Sequence, residues 1–231
     1  MLSNGGLFDK KMRKILIIAP HIDDEAIGCG GSILKHAALG NLVEILYIFT
    51  GSKLEKEVRK REARIACKFM GVNKFYFLKK SKSFEKIELN VIKILRNINP
   101  DYIYIPHGKE VDSDHKFVHD LVMGSVWKAN GKYFPNIGKR SNIVGVIQYE
   151  IHTPILNPNY FEDISNFASK KRELISIYKS QNKKTNYVKG ILGLNQYRGI
   201  FREVGDYSEA FNLKMFRNLF DDGSNDNNTG L

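Results

Sequence analysis

Cysteine is scarce in this chain of 231 residues: Cys29 and Cys67 are the only two. That excludes a disulfide framework and fits a reducing compartment, with each thiol reading best as a small buried apolar side chain. Long hydrophobic runs are missing as well. Lys, Arg, Asp or Asn interrupts every apolar stretch before it reaches the ~20 residues of a membrane span, so no spanning helix is expected. The N-terminus, Met1-Leu2-Ser3-Asn4-Gly5-Gly6-Leu7-Phe8, lacks the basic start and apolar centre of a secretory signal, which makes the cytoplasm the expected location. Acidic charge is short: 25 Asp+Glu face 36 Lys+Arg, for a formal net charge of +11. That surplus favours anionic partners without choosing among them. It comes with no recognition-helix signature and no aromatic-interleaved basic motif, so nucleic acid is not an expected partner.

What is present is enough for a core, with 42% of residues hydrophobic and 11% aromatic. Residues 14–20 form a continuous apolar run of strand length, the pattern of a strand buried on both faces. Helical spacing follows over residues 25–39, with acids crowding the first turn and Gly40 at its end. The alternation repeats: a strand at 42–49, a helix at 54–70 stopped by Gly71, a strand at 75–78, a helix at 84–98 broken by Asn99-Pro100, and a strand at 102–106. A helix beginning near Asp114 and a strand at 143–151 complete it. Such an order predicts an α/β, Rossmann-like doubly wound, mostly parallel sheet with helices on both faces. Residues 12–217 read as one domain, 1–11 as a flexible extension and 218–231 as a disordered tail. The stretch from Ser165 to about Arg217 reads as polar helix broken by glycines.

In open α/β sheets the ligand crevice lies beyond the carboxyl ends of the strands, so the loops after Pro20, Phe49, Pro106 and Ile151 should converge. Two of them concentrate metal-binding chemistry. Pro20-His21-Ile22-Asp23-Asp24-Glu25 places a His and a carboxylate three residues apart across a turn, a pairing that suits zinc. Acids at a helix start are also favoured by capping and by the macrodipole, which accounts for the acids and leaves His21 unexplained. The second loop, Asp112-Ser113-Asp114-His115, offers His115 as a third ligand and leaves a coordination position open for water. Asp114 can orient an imidazole or cap the helix, and His119, one turn further, reads as a packing histidine.

The motif Ala19-Pro20-His21-Ile22-Asp23-Asp24-Glu25, followed by Gly28-Cys29-Gly30-Gly31, resembles the Ala-His-Pro-Asp-Asp-Glu signature of the PIG-L/LmbE-like deacetylases. Thr50-Gly51, Arg59 with Glu62, Asp114-His115, Tyr178-x-Ser180-Gln181 and Tyr207-x-Glu209-Ala210-Phe211 fall in that family's order, over roughly residues 13–213. The resemblance implies a metal-dependent hydrolase that removes the acetyl group from a small-molecule N-acetyl amino sugar, nucleotide-, lipid- or metabolite-linked. The implied cofactor is zinc or another divalent metal. It further implies His21, Asp24 and His115 as metal ligands and Asp23 as the general base.

One departure matters. The family commonly has His-Pro-Asp-His where this chain has Asp112-Ser113-Asp114-His115, and an ionised carboxylate cannot serve a developing oxyanion as the missing histidine would. Loss of such a donor costs on the order of 100–1,000-fold in rate. His152 is the expected substitute, with His107 next. A catalytically impaired, metal-binding sugar-binding protein is the alternative that Asp112 keeps open. Arg59, Asp112 and Arg198 are the expected substrate contacts, the arginines for an anionic handle, although surface solubility accounts for the same arginines.

Overall fold

In the computed structural model of the chain, residues 12–215 are described, apart from Lys53, Lys80, Lys82 and Lys184. The expected N-terminal extension and C-terminal tail therefore lie outside the described residues. The elements run β1 (Lys14–Ala19), α1 (Asp24–Ala38), β2 (Leu42–Tyr47), α2 (Lys56–Met70), β3 (Lys74–Phe77), α3 (Phe84–Ile98), β4 (Tyr102–Pro106), α4 (Ser113–Asn130) and β5 (Gly145–Tyr149). There follow β6 (Tyr160–Asp163), α5 (Ala168–Ile177), the one-turn α6 (Lys179–Asn182), α7 (Tyr187–Phe201) and β7 (Ser208–Met215).

Hydrophobic periodicity explains the layering. Alternate residues of β1 point to opposite faces: Ile15, Ile17 and Ala19 pack in one core with α1, α2 and α5, while Leu16 and Ile18 pack in a second with α3 and α4. The sheet order is β3-β2-β1-β4-β5-β7-β6. The first five are parallel, whereas β7 runs antiparallel to both β5 and β6. The chain reverses direction across the sheet between β1 and β4, so the crevice opens where their following loops part.

The reading of 165–217 as helix needs correction. Helices α5 to α7 are there, but Ser208–Met215 is a full strand wedged between β5 and β6. Its polar residues hid it. Glu209 is buried inside the fold, and it is tolerated because Lys171 Nζ lies 2.7 Å away and three donors from Gly31 and Ser32 reach its oxygens at 2.6–2.8 Å. The ends of α3 follow local rules: Ser83 accepts from the Lys86 N–H as N-cap, and the helix closes on Asn99 at φ 49°.

Candidate metal and catalytic site

The site begins with a strained backbone. Asp23, between β1 and α1, has φ 125° and ψ −24°, a region that costs an L-residue on the order of 1–3 kcal/mol. It occupies the N-cap position, yet its side chain makes no capping hydrogen bond. Capping therefore does not account for it. The turn instead brings the His21 N–H to within 2.8 Å of Asp24 Oδ2 and aims both side chains into the crevice.

Across the crevice, α4 delivers His115. Asp112 caps this helix, accepting from the N–H groups of Asp114 and His115 at 2.7 and 3.3 Å. His21 Nδ1, Asp24 Oδ2 and His115 Nε2 stand pairwise 3.3 Å apart. Ligands ~2.0–2.1 Å from a tetrahedral zinc would be roughly 3.3–3.4 Å from one another. Two imidazoles and a carboxylate, already spaced as one face of such a tetrahedron, fit a divalent metal with a fourth side left open.

The electrostatics agree with a cation between them. Burial opposes charge on His21, but the carboxylates of Asp24 and Asp114 override it and raise its pKa to about 9. Burial likewise opposes charge on His115, and Asp24 and Glu110 raise it to about 10. Burial would raise Asp24, yet the two imidazoles hold it well below the usual carboxylate range. The pocket thus holds positive charge when only protons are offered, and a metal would take their place.

Asp114 Oδ2 lies 2.9 Å from His21 Nε2, on the side away from the triangle. Asp23 is 7% exposed, and burial followed by the charges of Asp24 and Glu25 raises its pKa, against the nearby Arg59. Arg59 reaches Glu55 at 3.2 Å, with Gly51 at φ 83° leaving room for its side chain. His152 is exposed and stacks on the His115 ring at 5.2 Å between centroids and on the Tyr187 ring at 6.2 Å. Asp112 is engaged as a helix cap. Arg198 is not free for a substrate either: its guanidinium pairs with Glu150 at 2.9 Å and the Ile155 carbonyl at 2.7 Å, inside the protein. That corrects the expectation of an anion-binding Arg198; it braces the loop that carries His152. His107 donates to the Thr153 carbonyl and lies outside the triangle, and His119 contacts Asp120 and Gln148 instead.

Sequence reasoning missed two buried carboxylates. Glu110 accepts from the N–H groups of Ile151, His152 and Thr153 at 2.7–3.2 Å and lies 3.6 Å from His115 Nδ1, tying the loop after β5 to the loop after β4. Glu25 accepts from Tyr178, from Tyr47 at 2.9 Å and from the Asp23 N–H at 3.2 Å, and burial pushes its pKa up to about 7. Each stood among other acids of its loop, Glu25 beside Asp23 and Asp24 and Glu110 before Asp112 and Asp114, so no spacing singled it out. The family elements around Glu62 and Ser180 also meet: Glu62 accepts from the Ser180 N–H and hydroxyl at 2.9 and 2.6 Å.

A family model described as PIG-L, GlcNAc-PI de-N-acetylase, matches residues 16–126. Diacetylchitobiose deacetylase of Thermococcus kodakarensis is 27% identical over 191 residues, covering 74% of this chain and 70% of that protein. A probable N-acetyl-alpha-D-glucosaminyl L-malate deacetylase 2 of Bacillus cereus is 29% identical over 138 residues. That match covers 49% of this chain and 61% of the relative, less than two thirds of its length. Among solved structures, N,N'-diacetylchitobiose deacetylase from Pyrococcus horikoshii superposes with a TM-score of 0.76 at 24% identity, covering 88% of this chain and 84% of that one, which establishes the shared fold. The span that matches the PIG-L family model runs from β1 through most of α4 and contains His21, Asp24 and His115.

Proposed function

We propose that this protein is a metal-dependent N-deacetylase that hydrolyses the acetamide of a small-molecule N-acetyl amino sugar, releasing acetate and a free amine. The observation that carries the reading is the 3.3 Å triangle of His21 Nδ1, Asp24 Oδ2 and His115 Nε2, with the strained, buried Asp23 beside it. These three residues would hold the metal, zinc in this proposal. When bound, it supplies Lewis-acid polarisation of the acyl carbonyl and makes water more acidic.

The chain's own groups do the rest. The Asp23 carboxylate takes the proton from the attacking water as its oxygen bonds to the acyl carbon, then returns that proton to the nitrogen as the C–N bond breaks. Its environment suits the exchange, because burial and two neighbouring acids make it a better proton acceptor than an exposed Asp. Asp114 holds the His21 ring in orientation. His152 replaces the missing family histidine as the donor facing the developing oxyanion, and Arg59 borders the substrate on the Asp23 side. Asp112 keeps the cap and offers no donor. The reaction is placed in the cytoplasm, where two buried thiols remain reduced.

The test is acetate release from N-acetylglucosamine and its conjugates by the zinc-loaded protein. Release that depends on metal and disappears in Asp23→Asn supports the reading. Tight metal and sugar binding without any acetate release from a panel of such sugars identifies the impaired sugar-binding protein instead.

A further inference from the structure

The segment between α4 and β5, at the end of the sheet away from the metal triangle, borders a surface cavity of about 580 Å³, within the range of small-molecule sites. Its wall is basic. Lys132, Lys139 and Arg140 line it, all three exposed and none ion-paired with a described residue. The segments that build the wall carry no acid: residues 89–100 and 121–144 contain neither Asp nor Glu. The two acids that flank α3 are engaged, Asp101 with the Lys14 N–H at 2.7 Å and with Arg13, and Glu88 with Lys128 at 2.7 Å.

The wall is also fixed in place. Arg96, 8% exposed, donates from its guanidinium to six main-chain carbonyls between Lys128 and Ile137 at 2.5–3.3 Å. Some of these belong to the C-terminal turn of α4, whose partial negative charge offsets Arg96 and leaves Lys132, Lys139 and Arg140 uncompensated. Arg96 thus holds the loop, including Phe134 in a left-handed backbone at φ 50°. Asn130 ties the far end, bonding both main-chain groups of Ile143 at 3.0 and 3.1 Å. One polar group is left over. Ser141 lines the cavity and is 3% exposed, yet its hydroxyl finds no hydrogen-bond partner in the protein. A buried hydroxyl left unsatisfied is costly, and an oxygen of a bound anion would satisfy it. Tyr133 adds an exposed aromatic ring to the same wall, braced by Trp127 at 4.7 Å between centroids.

We propose that this cavity binds a nucleoside diphosphate, with its phosphates on Lys132, Lys139, Arg140 and the Ser141 hydroxyl and its base on the Tyr133 ring. Cationic donors without a competing carboxylate select phosphate. An aromatic face beside them selects a nucleotide over bare phosphate, because every base can stack on it. The site stands apart from the metal triangle and does not depend on the hydrolase reading.

The experiment is isothermal titration calorimetry of the zinc-loaded full chain with ADP, pyrophosphate and adenosine, at low and high salt. ADP should bind more tightly than pyrophosphate, adenosine should bind weakest, and salt should weaken both phosphates. Lys139→Ala/Arg140→Ala should weaken ADP binding on the order of 100-fold. Arg61→Ala/Lys68→Ala, which removes the same charge from the exposed face of α2, should bind as wild type. Tyr133→Ala should weaken ADP roughly tenfold and leave pyrophosphate unchanged. Ser141→Ala should weaken both roughly tenfold while keeping or raising the unfolding temperature, since it deletes an unpartnered hydroxyl; a purely structural hydroxyl would do the reverse. His115→Ala should bind ADP as wild type, which separates the cavity from a phosphate caught by the metal. Absence of ADP binding at low salt overturns the site, and so does equal binding by Lys139→Ala/Arg140→Ala or loss of binding in His115→Ala. Pyrophosphate binding as tight as that of ADP overturns the nucleotide as its ligand. A short single-stranded RNA that binds more tightly than ADP, and is lost in the same double variant, assigns the face to nucleic acid and also overturns it.

Discussion

His21 Nε2 and Asp114 Oδ2 lie 2.9 Å apart although 93 residues separate them in sequence. The contact fixes the imidazole plane, so that Nδ1, the other ring nitrogen, faces Asp24 and His115. A carboxylate behind a ligand histidine orients the ring and raises its basicity, and loss of such a partner costs roughly 10–100-fold in metal affinity. Asp114→Ala is therefore expected to weaken zinc binding by that factor while the protein stays folded, as measured by competition with a fluorescent chelator. Unchanged affinity would remove Asp114 from the site.

Chelation gives the broadest test. Dialysis against a strong chelator should abolish acetate release, and zinc should restore it, in wild type but not in His115→Ala. Metal analysis should find about one ion per chain in wild type and none in the variant. Activity that survives exhaustive metal removal contradicts the assignment.

Asp23→Asn preserves shape and removes the proton acceptor. Acetate release is expected to fall by roughly 10²–10⁴-fold with metal content unchanged. A variant that loses its metal as well would make Asp23 a ligand.

Asp112 and His152 separate capping from catalysis. Asparagine caps helices as well as aspartate does, so Asp112→Asn should leave both stability and acetate release close to wild type. His152→Ala should lower turnover on the order of 100-fold with little change in unfolding temperature, because the side chain is exposed. The opposite pattern in the kinetics would give the donor role to position 112.

Stability has its own pH signature, read at His36. Burial and the neighbouring Lys35 lower its pKa from 6.5 to about 4, and its ring faces the Tyr104 hydroxyl at 2.9 Å. An unfolded His takes up its proton near 6.5, so between those pH values the unfolded state binds protons that the folded state refuses. The contribution is complete above 6.5 and is lost as pH falls towards 4, with a ceiling of about 3 kcal/mol. Urea denaturation at a series of pH values should show His36→Gln losing this part of the slope relative to wild type. Parallel curves for the two proteins would contradict the assignment.

Some parts were legible in the sequence because their causes are local. The continuous apolar runs of β1 and β4 announced strands covered on both faces, and helical spacing with Gly71 and Asn99 as stops placed α2 and α3 to within a couple of residues. Strand β7 was not legible. Residues 211–215 alternate apolar and polar as a strand does, but Ser208 and Glu209 at its start broke the pattern; Glu209 is held inside by Lys171 and the N–H groups of Gly31 and Ser32, partners far off in the chain.

The sequence by itself determined the alternating architecture, the placement of His21, Asp24 and His115 just after the carboxyl ends of β1 and β4, and the absence of the family histidine at Asp112, since each follows from residue type and spacing along the chain. Only the tertiary structure decided that three ligand atoms meet at 3.3 Å, that Arg198 is bound up with Glu150, and that Glu110 joins two loops. Those facts are distances between segments some tens of residues apart or more. Sheet register and burial set such distances, and no local pattern encodes them.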